Sequence, residues 1–265
     1  MYLSRGIISR MNLFHALILG LVEGVTEFLP VSSTGHLILT AHFLGMPESE
    51  FLKSFEISIQ FGAILAVLVL YWRSLLLKPE IAKRVMAAFL PTAAIGLLAY
   101  PWIKAHLMGN EEIVLWALGA GGAFLILFEL FHHEKDDAHE DLSSLSYRKS
   151  VMIGLFQCLA MVPGVSRSAA TILGGLGLGL KRKTIVEFSF LLAVPTMLAA
   201  TGLDFVKNAS TFSMGQFRFL LVGGLSSFCV AVLSIKFLLH FTRRHSFIAF
   251  GVYRIVAAIA FSFLL

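Results

Sequence analysis

Six long apolar runs, at approximately 54–72, 85–103, 113–131, 184–204, 217–239 and 247–265, alternate with short polar loops. Each is long enough to cross a bilayer core of about 30 Å as a helix. Two further apolar stretches, 12–45 and 150–180, read differently, because Pro30 interrupts the first and Pro163–Gly164 the second. Proline removes a backbone donor and ends a helix, so each stretch predicts two short helices joined by a break. Irregular backbone at membrane depth is tolerated only where it is buried in protein or lines a cavity. Both stretches are therefore expected to be re-entrant helical hairpins. The expected fold is an all-α integral membrane protein with six transmembrane helices plus two such hairpins.

The interrupted stretches also resemble each other. At an offset of 134, Gly20, Leu21, Val31, Ser32, Ile38, Leu39, Leu44 and Gly45 match Gly154, Leu155, Val165, Ser166, Ile172, Leu173, Leu178 and Gly179. Three apolar runs follow each stretch. The pattern predicts two repeats, 1–149 and 150–265, within one integral domain. Paired broken helices in corresponding halves point to a site near the bilayer midplane.

Composition agrees with lipid as the solvent. Hydrophobic residues make up 57% and charged residues 14%, with a mean hydropathy of +0.84, against about 25% charged in an average soluble domain. The net charge of +5 reads as cytoplasmic Lys and Arg, and no nucleic-acid partner is expected. Placing loop 73–84 in the cytoplasm puts 12 basic residues inside and six outside (Arg5, Arg10, Lys53, Lys104, Lys207 and Arg218), with Arg167, Lys236 and Arg254 at membrane depth. Lys135 is among the inside set. The hairpins then enter from opposite sides and the repeats have inverted topology. No cleavable signal peptide is expected, since Glu23 and Glu27 interrupt the first apolar run. Cys158 and Cys229 read as buried small hydrophobes, with no disulfide. The polar stretch from His132 to Lys149, which includes His133 and His139, reads as a solvated loop, with a metal site conceivable.

The chemistry concentrates in EGVTEFLPVSSTGH, Glu23 to His36. Glu23 and Glu27 are four apart and so share one helix face. Intramembrane carboxylates are costly and point to function. The pair suits either acid/base work or a hard divalent metal held by oxygen ligands; helix ends at a wet interface are the plain alternative. Ser32, Ser33, Thr34 and Gly35 then precede a new apolar helix. Hydroxyls there cap the helix, and its free N–H groups make an anion site. His36 could serve in proton transfer or nucleophilic attack, or be an interfacial histidine.

The second run is PGVSRSAAT, Pro163 to Thr171. Ser166, Arg167, Ser168 and Thr171 stand at or beside the equivalent break. Arginine is the preferred bidentate partner of phosphate, although Arg167 could instead pair structurally with Glu23 or Glu27. Together the two runs supply the parts for phosphoryl transfer. Gln60 lies in an otherwise apolar run and could bond either the site or a neighbouring helix. Gln157, which matches Glu23, reads as a bond within the bundle. Glu56 and Glu187 are expected at the starts of their spans. Arg254 could pair with an acid, with no partner evident. GGLGLG at 174–179 lacks a preceding strand and reads as close helix packing.

At these two motifs, with FEISIQFGAILAV and EFSFLLAVP in support, the sequence resembles the bacterial undecaprenyl-diphosphate phosphatase family of the bacitracin-resistance (BacA/UppP) type. The resemblance covers nearly the whole chain. It implies an inner-membrane enzyme that removes one phosphate from a polyprenyl diphosphate, recycling the lipid carrier for peptidoglycan and conferring bacitracin resistance. It also implies dependence on Mg²⁺ or Ca²⁺, a site open to the periplasmic side, and a homodimer. By position, the family's acidic motif falls on Glu23 and Glu27, its hydroxyl-rich motif on Ser32, Ser33, Thr34 and His36, and its phosphate-binding arginine on Arg167.

On this basis Glu23 and Glu27 are expected to bind the metal and Arg167 the phosphates. Ser33 is the first choice of nucleophile, with His36 or water as rivals. The competing class is a transporter or flippase of a polyprenyl phosphate. It would share the anion site and the broken helices but would need neither a metal-bound acid pair nor an adjacent nucleophile.

Overall fold

A computed structural model describes residues 11–47, 49–107, 110–134, 138, 141–208 and 216–263. Arg5, Arg10, Lys135 and His139, and the side chains of Lys104 and Lys207, lie outside the described residues. The described chain forms ten α-helices and a short 3₁₀ helix: α1 Leu13–Thr26, α2 Ser33–Phe43, α3 Glu50–Leu76, α4 Pro79–His106, α5 Glu111–Phe131, α6 Tyr147–Gln157, the 3₁₀ turn Cys158–Met161, α7 Arg167–Gly177, α8 Arg182–Asn208, α9 Phe217–Phe241 and α10 Ile248–Ser262.

Five of these, α3, α4, α5, α8 and α9, are long and apolar enough to cross a membrane. The sixth expected span, 247–265, corresponds to α10, which has 15 described residues. At 1.5 Å per residue that is about 22 Å, short of a full crossing. The long helices also begin earlier than their apolar cores. Ser49 caps α3 by accepting from Leu52 N, and Pro79 opens α4, so polar residues are drawn into the first turns. Glu56 and Glu187 consequently sit inside α3 and α8 rather than at their starts.

The two interrupted stretches fold as helix, break, helix. Their starts agree at the offset of 134: α1 and α6 begin at Leu13 and Tyr147, after Asn12 and Ser146, each of which caps the N–H three residues on. Helices α2 and α7 are both 11 residues, Ser33–Phe43 and Arg167–Gly177. The non-glycine residues with positive φ among the described residues are Ser32 and Ser166, both at 72°, and Gly45 and Gly179 close the two short helices at 65° and 79°. Ser166 caps α7 by accepting from Ala169 N, whereas the Ser32 side chain makes no capping bond.

Packing follows the same pairing. Helix α1 lies against α9 and α6 against α4, while α3 faces α8 and α5 faces α10. The close approaches are built on glycine. A Cβ on Gly20 would meet Gly223 and Ser226, one on Gly154 would meet the Ala88 carbonyl, and one on Gly62 would meet the Gly224 carbonyl. Without a hydrophobic force between helices in lipid, such small-residue contacts are what let backbones pack. Cys158 and Cys229 are both free. Cys229 is exposed, not buried, because it shares an outward face of α9 with exposed Leu225 and Leu233, four residues away on either side.

Candidate active site

Glu27 follows directly on α1, and its N–H donates to Glu23 O at 2.9 Å. The helical repeat therefore carries both carboxylates to one side. Glu23 is fully buried and neither of its oxygens has a hydrogen-bond partner in the protein; Glu27, Glu56 and Arg167 are the charged groups acting on it. Glu27 is almost as buried but fully engaged. Its Oε1 accepts from Arg167 Nη2 at 2.9 Å, and its Oε2 accepts from Ser33 Oγ at 2.5 Å. One carboxylate thus joins the two breaks.

Arg167 opens α7. Its second nitrogen, Nη1, donates to Ser189 O at 2.9 Å, its guanidinium lies 5.8 Å from the Phe28 ring centre, and its buried Nε has no partner in the protein. Ser189 Oγ is 2.6 Å from Thr171 Oγ1, so α8 braces the arginine from behind. Ser168 Oγ donates to Leu29 O at 2.8 Å, and Ser166 Oγ lies 3.1 Å from Ser168 Oγ. Ser168 therefore ties the second break to the first, while Thr171 ties α7 to α8.

Between the breaks lies a cavity of about 200 Å³, with Glu27, Ser32, Ser33, Thr34, Gln60, Ser166 and Arg167 in its walls. At its edge, Ser33, Thr34 and Gly35 precede the first backbone bond of α2, His36 N to Ser32 O. Their N–H groups are the unsatisfied donors of a helix start. A Cβ on Gly35 would stand 3.2 Å from Val114, so a glycine there lets α2 lie close to α5. Gln60, left between two readings by the sequence, is in the cavity wall.

The sequence did not single out Thr92 and Thr196, and took Gln157 for a bundle bond only. All three line the cavity, and Gln157 Nε2 donates to both hydroxyls, at 2.9 and 3.1 Å. The match of Gln157 to Glu23 in the repeat was the available signal.

His36 and Glu23 are not in the cavity wall. The His36 ring is buried with both nitrogens bonded, Nδ1 at 2.8 Å from Ser32 O and Nε2 at 2.8 Å from Tyr253 OH, and it stacks on the Tyr253 ring at 9°. Among the described residues no three His, Cys, Asp or Glu side chains converge as a metal site. The donor set on hand is the Glu23–Glu27 pair. The two orphaned oxygens of Glu23, beside Glu27, are hard oxygen donors of the kind a divalent ion takes.

A family model described as bacitracin resistance protein BacA matches residues 16–260. The chain belongs to that family. It is 49% identical over 252 residues to the undecaprenyl-diphosphatase of Aquifex aeolicus, covering 95% of this chain and 98% of the relative. The corresponding protein of Sulfurihydrogenibium is 50% identical over 251 residues, again at 95% and 98% coverage, and that of Wolinella succinogenes 48% over 255, at 96% and 99%. Membership agrees with the resemblance carried by the two motifs, and with the five apolar helices it makes the chain a multi-pass membrane protein.

Proposed function

We propose that the cavity between the two helix breaks receives the diphosphate of undecaprenyl diphosphate. The chain is an undecaprenyl-diphosphate phosphatase, releasing undecaprenyl phosphate and inorganic phosphate and returning the carrier lipid to envelope synthesis. The observation that carries the site is Glu27, which holds Arg167 on one oxygen and the Ser33 hydroxyl on the other.

Ser33 is the nucleophile. Glu27 accepts the Oγ proton as Oγ attacks the terminal phosphorus, and the bond from that phosphorus to the bridging oxygen breaks. Undecaprenyl phosphate leaves as an anion and needs no proton. Water then hydrolyses the phosphoserine, freeing phosphate and restoring the hydroxyl. Arg167, with its spare Nε donor, and the N–H groups opening α2 hold the phosphate oxygens as charge shifts among them. Ser32, Thr34 and Ser166 complete the polar wall, while Ser168, Thr171 and Gly35 hold the breaks in shape. The bonded ring nitrogens of His36 and its place outside the cavity favour Ser33 over His36. Glu23 and Glu27 would hold Mg²⁺ or Ca²⁺, which neutralises diphosphate charge when bound.

The paired base and hydroxyl favour an enzyme over a lipid flippase, which has no use for a nucleophile. The matched starts of α1 and α6 and the matched bounds of α2 and α7 support two repeats, 1–149 and 150–265, and the lysine and arginine placement, which has their hairpins enter from opposite sides, supports an inverted relation. With α10 as the counterpart of α5, this arrangement supports six membrane helices, five of them long enough to span among the described residues. The family resemblance carries the inner-membrane location, the periplasmic opening and the homodimer.

The test is phosphate release from undecaprenyl diphosphate in detergent, with and without Mg²⁺. Metal-dependent release by the wild type, lost in Glu27→Gln and Arg167→Ala, is expected. Full release by a folded Arg167→Ala variant would remove the second break from the site.

A further inference from the structure

Arg254, on α10, is the bulkiest side chain to be fully buried among the described residues. A guanidinium has five N–H donors and cannot be deprotonated in a protein. All of its recorded bonds go to main-chain carbonyls. Nε donates to Leu118 O at 3.1 Å; Nη1 to Val165 O at 3.2 Å and Pro30 O at 3.4 Å; Nη2 to Gly164 O at 2.9 Å and Ala117 O at 3.0 Å.

The carbonyls belong to three separate pieces of chain. Pro30 is the break of the first hairpin, Gly164 and Val165 are the break of the second, and Ala117 and Leu118 lie on α5. The facing helix is shaped to receive the side chain: a Cβ on Gly121 would collide with the guanidinium, and one on Gly122 would stand 2.9 Å from Arg254 Cβ. A buried charge is costly unless every donor is met. Here that demand is met only when the two breaks stand together at one place on α5. The neighbouring Tyr253 holds His36 from the same helix.

We infer that Arg254 is a positioning residue. Its guanidinium ties the Pro30 break to the Gly164–Val165 break and so sets how far Ser33 and Glu27 stand from Arg167. It touches no phosphate and acts through its carbonyl partners. The inference rests on the reading that both breaks hold the diphosphate. Lysine offers one ammonium with three donors and cannot span five carbonyls.

The experiment measures kcat, KM and thermal unfolding for Arg254→Lys, alone and combined with Arg167→Lys. Misplacement of catalytic groups by about 1 Å costs about 10²-fold in rate, so a kcat loss of about 10- to 100-fold is expected, with KM changed less than about threefold. In the Arg167→Lys background the further loss should shrink to less than about threefold, because residues that act through one another do not add. An equal loss in both backgrounds would overturn the proposal, as would a loss that vanishes on cooling below the unfolding transition. Wild-type rates for Arg167→Lys alone would instead fault the two-break site. Gly121→Ala, which keeps every charge and presses on the guanidinium, gives an independent reading if Arg254→Lys does not fold. It should lower kcat in the same way, and an unchanged kcat there would count against the proposal.

Discussion

Glu27 Oε1 and Arg167 Nη2 stand 2.9 Å apart although 140 residues separate them in the chain. Glu27 is buried and Arg167 partly so, and removing either partner leaves the other without its counter-charge. Arg167→Ala and Glu27→Gln should each lower kcat/KM by about 10²-fold or more, the scale of losing one preorganised charge partner. The double variant should be little worse than either single one, measured by steady-state phosphate release. Fully additive losses would mean that the two act independently.

Ser33 Oγ reaches the second oxygen of the same carboxylate. Ser33→Ala should cut kcat by about 10²- to 10⁴-fold, as expected when a nucleophile and its base are separated, with little change in KM. Phosphate release in ¹⁸O-labelled water adds a check. With the serine route, the label enters when the phosphoserine is hydrolysed, and rapid quenching of the wild type should trap phosphate on the protein. A Ser33→Ala variant that retains wild-type kcat would pass the attack to water.

Tyr253 bonds His36 away from the cavity. Tyr253→Phe removes one hydrogen bond of about 0.5–1.5 kcal/mol, so kcat should fall by less than about tenfold. A collapse comparable with that of Ser33→Ala would return His36 to the reacting centre.

The unpaired oxygens of Glu23 predict the metal response. Chelation should stop phosphate release, and added Mg²⁺ or Ca²⁺ should restore it. Glu23→Gln should raise the cation concentration for half-maximal activity by about tenfold or more, while Tyr253→Phe leaves it unchanged. An unaltered cation requirement in Glu23→Gln would take the ion away from this acid.

Gly154 marks the crossing of α6 and α4, where a Cβ would press on the Ala88 carbonyl and on Pro91. Gly154→Ala overpacks that crossing at a cost of about 1–3 kcal/mol. The purified protein should unfold at a lower temperature, with its cation requirement intact. An unchanged unfolding temperature would show that the helices part easily there.

Much of the site could be read from residue types. Glu23, Glu27, Ser33 and Arg167 are rare chemistry in an apolar chain, and Pro30 and Pro163 marked where the backbone would open toward them. What could not be read was contact between distant segments. Thr92 and Thr196 are ordinary hydroxyls inside long helices and enter the cavity only because α4 packs against both α6 and α8. Arg254 had no acid to point to, since its partners are carbonyls and a sequence does not show which carbonyls lie free. His36 stands in the richest motif, yet its position, three residues into α2, turns it from the cavity toward α10.

Ser32 and Ser166 share a φ of 72° and launch helices of the same length, yet the next residues are Ser33 and Arg167. The same inequality recurs upstream, where Glu23 and Glu27 correspond to Gln157 and Met161. Two identical halves would face two Glu27-type carboxylates, or two Arg167-type guanidiniums, across one hollow, and each pair would repel itself. The two hairpins match in backbone and differ in charge, and that departure from symmetry is what lets Glu27 of one pair with Arg167 of the other.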